Sequence, residues 1–207
     1  MALSQKHVSW LKGLIFILAL LPFFRLVVFT ILDKLGANPV EFITRNTGDW
    51  TLYFLCIALA VTPARKLLNF PWLLKLRRML GLYGFFYATL HFLTFLWFDH
   101  FFDLQDMWKD VLKRPFITVG FIAFVALVPL ALTSTNGMIK RLGGKRWQLL
   151  HKLVYVIVPL GVLHYYWMKS GKHDLMQPLI FAAVVATLLL ARLWWHWSAQ
   201  SRTQASA

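Results

Sequence analysis

The chain has one cysteine, Cys56, and little negative charge: eight Asp and Glu stand against 22 Lys and Arg in 207 residues. A single cysteine excludes an internal disulfide, a four-cysteine iron–sulfur cluster and covalent haem attachment through a C-x-x-C-H motif. Cys56 itself reads as a small packing residue of a membrane helix. Charged residues of both signs make up only 14% of the chain, against about 25% in an average soluble domain. No loop is long enough to hold a separate soluble domain, and there is no low-complexity tract. No small-residue cleavage site follows the first apolar block, so that block is expected to be a retained helix rather than a signal peptide.

What is present in excess is apolar surface, 59% of the residues, and it comes in blocks. Six blocks approach the roughly 20 residues that a helix needs to cross a bilayer. They run over Trp10–Leu32, Trp50–Pro63, Leu80–Phe98, Pro115–Thr133, Leu149–Trp167 and Pro178–Trp195, the second starting a turn earlier, near Thr47. The expected fold is an all-α integral membrane protein: a segment 1–9, a six-helix transmembrane unit 10–197, and a polar tail 198–207. Tryptophans near the span ends (Trp10, Trp50, Trp97, Trp147, Trp167, Trp195) fit an interfacial aromatic belt.

The net charge of +14 does not point to nucleic acid, because the cations cluster in short loops between spans. Loop 62–79 carries Arg65, Lys66, Lys75, Arg77 and Arg78 without an acid, and loop 136–146 carries Lys140, Arg141, Lys145 and Arg146. Loops 33–49 and 99–114 each have one more acid than base. The basic loops are expected to face the cytoplasm, with both termini inside.

Three histidines, His91, His151 and His164, lie within spans. Intramembrane ionisable groups are rare and usually mark ligands, relays or ion sites, and imidazole is the commonest metal ligand. By a helical rise of about 1.5 Å per residue, His91 sits roughly 20 Å from the inner edge and 12 Å from the outer one. His164 sits roughly 27 Å and 7 Å from the same edges, and His151 only about 7 Å from the inner edge. Two axial ligands of one iron need similar depth on facing helices. His91 and His164 meet that condition, which predicts a bis-histidine haem in the outer half, between the third and fifth spans.

Arg77 falls on nearly the same helix face as His91, about 21 Å inward. Arginine suits a propionate or phosphate rather than iron, so the inner site is expected to be either a haem with His151 as its one histidine metal ligand or a site for another redox molecule, with Arg77 as a cofactor contact. His151 and His164 differ by about 220° around a straight helix, which predicts a distortion near Pro159 and Gly161. His7, His100, His173 and His196 are expected to be solvated or interfacial. The aromatic residues of the third span read as packing, Arg25 as a snorkelling side chain, and Gly143-Gly144-Lys145-Arg146-Trp147 as a basic turn.

The stretches LRRMLGLYGFFYATLHFLTF (76–95), KRPFITVGF (113–121), LALTSTNGMIKRLGGKRWQLLHKLVYVIVPLGVLHYYW (130–167) and TLYFLCIALAVTPAR (51–65) resemble the MsrQ (YedZ) family of haem-binding membrane subunits. More distantly they resemble the ferric-reductase-like transmembrane domain. The resemblance implies b-type haem with His91, His151 and His164 at the family's histidine positions, and bound FMN. It also implies electrons from the quinone pool or a separate flavin reductase. These would be delivered to a periplasmic molybdopterin-containing methionine sulfoxide reductase. Arg77 stands where two-haem relatives carry a further histidine.

The expected role is therefore an electron-transfer subunit among membrane lipids, with no nucleic-acid partner and with the substrate chemistry on its partner. The alternatives are a stand-alone ferric or metalloreductase and, from another class, a proton-coupled transporter using the histidines as a relay. The second normally shows midplane acids and discontinuous helices.

Overall fold

The computed structural model describes residues 4–171 and 173–205, with side chains through Ser198. No strand occurs among the described residues, and six helical segments are long and apolar enough to cross a membrane. In chain order the helices are α1 (Gln5–Ile31), α2 (Pro39–Leu68), α3 (Leu74–Thr94), α4 (Leu104–Lys113), α5 (Pro115–Leu132), α6 (Asn136–Leu142), α7 (Gly144–His151), α8 (Val154–Ser170) and α9 (Met176–Ala205). α3 continues into a π-helical turn, Phe95–Asp99.

Local chemistry sets the ends. The Asn38 side chain accepts from Glu41 N–H and Pro39 takes the first position of α2, where its missing donor costs nothing. Asn69, at φ 54°, closes that helix, and Pro71 follows. Asp103 caps α4 by accepting from the N–H groups of Gln105 and Asp106, which hold its carboxyl below the usual range.

Three departures from the sequence reading matter. Most of the expected loop 33–49 is helix: α2 begins at Pro39 rather than near Thr47, which puts Asp49 well inside it. Two surface helices, α4 and α6, occupy segments read as loops; they are short and polar on one side, and a hydropathy window averages them away. The distortion in the fifth span lies ahead of the proline. Lys152, Leu153, Tyr155 and Val156 donate three residues back, which breaks the helix between α7 and α8, while α8 runs through Pro159 and Gly161. The proline lacks a donor for the Tyr155 carbonyl, so the rewinding falls in the turn that precedes that carbonyl.

The core is formed chiefly by α2, α3, α5 and α8, with Leu55, Leu59, Ile157 and Val158 almost fully buried. α9 packs on α2 and α8, and α1 lies outermost against α2 and α3. Apolar side chains such as Ile17, Leu21 and Leu190 point outward, as a bundle surrounded by hydrocarbon requires. All eight acids fall in one half of the bundle, seven of them where α1 joins α2, α3 joins α5, and α8 joins α9, and Asp49 within the first half of α2.

α1 is held by an inserted hydroxyl. Tyr87 Oη donates to the Ala19 carbonyl (2.8 Å) and accepts from Phe23 N–H (3.2 Å), the pair that one turn of helix would join directly. Pro22 stands inside that turn and loosens it. Tyr87→Phe strands two buried groups and should cost about 1–3 kcal/mol, read as a lower melting temperature in detergent. An unchanged melting temperature would remove this tether from the account.

Candidate functional site

His91 and His164 meet across the bundle. Their ring centres are 6.1 Å apart and their planes are inclined at 75°. Metal–imidazole bonds run about 2 Å, and a five-membered ring of bonds near 1.35 Å has its nitrogens about 1.2 Å from the centre. Two imidazoles on opposite sides of one ion therefore have centres ~6.3 Å apart, close to the observed spacing.

The same local device aims each ring. His91 Nδ1 lies 2.9 Å from the Thr44 carbonyl of α2, and His164 Nδ1 lies 2.6 Å from the Phe116 carbonyl of α5. A carbonyl only accepts, so Nδ1 carries the proton in both rings and each Nε2 keeps its lone pair. Four residues after each carbonyl stands a glycine. A Cβ on Gly48 would come within 3.2 Å of the His91 ring, and one on Gly120 within 2.7 Å of His164 Nδ1. The glycines bare the backbone so that the imidazoles can lie against it. Gly48 and Gly120 were not singled out from sequence, because glycine is common in membrane helices. Their spacing from Thr44 and Phe116 gains meaning only once the neighbouring helix is known.

Both rings line a cavity of about 880 Å3 between α2, α3, α5 and α8. Its depth is apolar, with Leu55, Phe92, Phe124, Leu127 and Ile157, and its mouth at the acid-bearing end carries Glu41, Arg45, Asp99, His100, Asp106, Asp110 and Arg114. Among the described residues no group of three or more His, Cys, Asp or Glu could hold a metal ion. An ion shared by these two nitrogens must bring its remaining ligands with it, as iron in a porphyrin does. The donor set, the ring spacing and a cavity apolar in its depth all fit that group.

The other expected site residues lie elsewhere. His151 ends α7 at the acid-free end, outside this cavity; its ring stacks on Trp147 at 3.9 Å, with Nδ1 3.0 Å from the Trp147 carbonyl and Nε2 3.4 Å from Ser134 Oγ. Arg77 lies within electrostatic reach of both His151 and Arg192. His100, expected to be solvated or interfacial, is buried at the cavity mouth. Phe92 and Phe95, read as packing, line the cavity as well. Arg25 is exposed on α1 over the Phe29 ring, away from the cavity.

Residues 47–162 match the family described as ferric reductase like transmembrane component. A protein of Herminiimonas arsenicoxydans named protein-methionine-sulfoxide reductase heme-binding subunit MsrQ is 67% identical over 99% of this chain and 94% of its own length. Proteins of the same name from Ralstonia nicotianae and Polaromonas naphthalenivorans are 57% and 54% identical, over 94% and 92% of this chain and 90% and 87% of theirs. The chain belongs to the MsrQ family. The paired imidazoles fall on α3 and α8, within or just beyond the segment shared with the ferric reductases: His91 lies inside residues 47–162 and His164 two residues past them.

The two MsrQ glycines should respond differently to a methyl group. Gly120→Ala overpacks against a ring pinned by a 2.6 Å bond, at a cost of about 1–3 kcal/mol that outweighs the gain of about 1 kcal/mol in helix propensity. Gly48→Ala asks for a few tenths of an ångström, and the two effects should nearly cancel. Thermal unfolding of both variants in one detergent checks the order; Gly48→Ala being the more destabilised would contradict it.

Proposed function

We propose that this chain is a b-type haem electron-transfer subunit of a bacterial inner membrane. In this reading it passes electrons from the quinone pool, or from a separate flavin reductase, to a periplasmic molybdopterin-containing methionine sulfoxide reductase. The reading rests on one observation: two half-buried imidazoles on facing helices have both Nδ1 protons committed to carbonyls, leaving both Nε2 lone pairs uncommitted, with ring centres 6.1 Å apart.

In this reading His91 and His164 are the metal ligands. The haem they would hold would supply one-electron redox chemistry suited to electron transfer. The Thr44 and Phe116 carbonyls fix the tautomer and raise the basicity of the ligating nitrogens. Leu55, Phe92, Phe124 and Leu127 keep water from the depth of the cavity. No nucleophile or general base is required, and reduction of the methionine sulfoxide belongs to the partner. The acid-bearing end faces the periplasm and the acid-free end the cytoplasm. FMN is proposed as a second redox group on the donor side, with His151 and Arg77 as contacts of a redox group at the acid-free end.

Purified protein should give the sharp visible bands of a six-coordinate b haem together with stoichiometric iron. His164→Ala should lose most of that absorbance, while His151→Ala should retain the bands assigned to the His91–His164 centre. Full haem retention in His164→Ala would reject the assignment.

A further inference from the structure

α4 carries more apolar surface than the bundle covers. At about 100° of rotation per residue, Met107, Val111, Leu104, Trp108 and Leu112 form one apolar arc about 140° wide. Met107 and Val111, on one side of that arc, are buried against the bundle. Leu104, Trp108 and Leu112, spaced four residues apart on the other side, are 63%, 50% and 66% exposed. The opposite arc holds Gln105, Lys109 and Lys113, all exposed, and then Asp106 and Asp110, which face His100 at the cavity mouth. An uncovered apolar stripe rimmed by polar residues marks an interaction surface.

The position of α4 decides what meets that stripe. The Trp108 ring lies 5.7 Å from the ring of Phe121, and Thr118 Oγ1 donates to the Val111 carbonyl. Both partners belong to the first two turns of α5, Phe121 lying about 9 Å along the helix from Pro115. α5 has 18 residues, about 27 Å, which is no longer than the roughly 30 Å hydrocarbon core. None of its turns can stand clear of the bilayer, so α4 lies beside α5 at the lipid boundary rather than above it. Trp108 reaches inward along α5, which puts the apolar stripe on the lipid side and Gln105, Lys109 and Lys113 on the water side. A docking face for a soluble protein would need the reverse arrangement.

The residues just ahead of α4 carry a second, independent signal. Phe101 and Phe102 stand at φ 46° and 64° and are 81% and 55% exposed. Left-handed backbone is rare and strained for a bulky side chain. Two aromatics held out at that cost gain nothing in water, whereas hydrocarbon would take up their surface. Exposed Trp97 lies 6.2 Å from the Phe102 ring, as an indole of an interfacial belt would. We propose that α4 is an interfacial helix, lying in the headgroup boundary of the leaflet at the acid-bearing end with Leu104, Trp108 and Leu112 seated in lipid. Lys109 and Lys113 then extend to the phosphates. The inference needs only that α5 spans the membrane and is independent of the haem reading. Lipid on one edge of α4 holds Asp106 and Asp110 in place on the other, at the mouth of the cavity.

The test is spin labelling of the full chain in vesicles of phosphatidylethanolamine and phosphatidylglycerol. Cys56, the one cysteine, is buried, so Cys56→Ala provides the background for Leu112→Cys and Lys109→Cys, each carrying a nitroxide. Power saturation of the paramagnetic resonance signal compares collisions with oxygen, which concentrates in lipid, and with a nickel chelate present in the water on both sides. The label at position 112 should meet oxygen severalfold more often than chelate, and at position 109 the order should reverse. Leu104→Cys should read as Leu112→Cys does, and it decides the matter if Leu112→Cys does not fold. Labels on the stripe that meet chelate as readily as the label at position 109 would place α4 in water, open to a soluble partner, and would overturn the inference. Labels shielded from both reagents would mean that protein covers the stripe, as in contact with a second copy, and would overturn it equally.

Discussion

An imidazole in the middle of a helix bundle has one N–H to place and few groups to receive it, since nearly every carbonyl around it already accepts a helical bond. A carbonyl has two lone pairs, so it can take a second donor, provided that the donor can reach the backbone. In this chain that access comes from glycine four residues downstream, at Gly48 for His91 and at Gly120 for His164. Each half of the site is one pair of packed helices, α2 with α3 and α5 with α8, solving the same problem. Everything the centre can do follows from that solution. Once Nδ1 is committed, Nε2 keeps its lone pair, and in the proposed reading the distance between the two helix pairs becomes the distance between two ligands.

The charge distribution gives that centre a direction. With all eight acids in one half of the bundle, the cavity opens into negative potential, and the opposite end presents cations alone. In the proposed reading, an electron held in the cavity is destabilised by the carboxylates of Glu41, Asp99, Asp106 and Asp110 at its mouth, offset in part by Arg45 and Arg114. In the proposed reading this makes the reduced centre a better donor at the face where a partner would dock. The cationic end suits anionic donors and lipid headgroups.

Much of this architecture was legible in the residues themselves. The six spans, the pairing of His91 with His164, and the placement of that pair in the acid-bearing half follow from apolar block length and helical rise. Three things could not be read. The stretch from Pro39 to Asn46 entered a helix because Asn38 and Pro39 start α2 well before the apolar block begins, and a hydropathy boundary does not see a cap. His100 became buried because α4, too short and too polar to register, folds over it and supplies Asp106 and Asp110. The glycines were visible as letters, but their partner lies on another helix, 47 or 48 residues away as measured between the bonded histidines and carbonyls.

His151 shows why an imidazole in a span is not by itself half of a paired centre. Its Nδ1 also meets a carbonyl, but one on its own helix, Trp147, a turn earlier. The ring consequently lies along α7, stacked on the Trp147 indole, whose Nε1 donates to the Thr133 carbonyl. A ring tied to its own helix is aimed along that helix, whereas His91 and His164, tied to neighbours, are aimed between helices. The break from Lys152 to Leu153 separates the two cases, letting α7 and α8 present their histidines in unrelated directions. With Arg77 in reach and no acid at that end, the surroundings of His151 attract negative charge. They are better matched to a phosphate or carboxylate group than to a second pair of axial nitrogens.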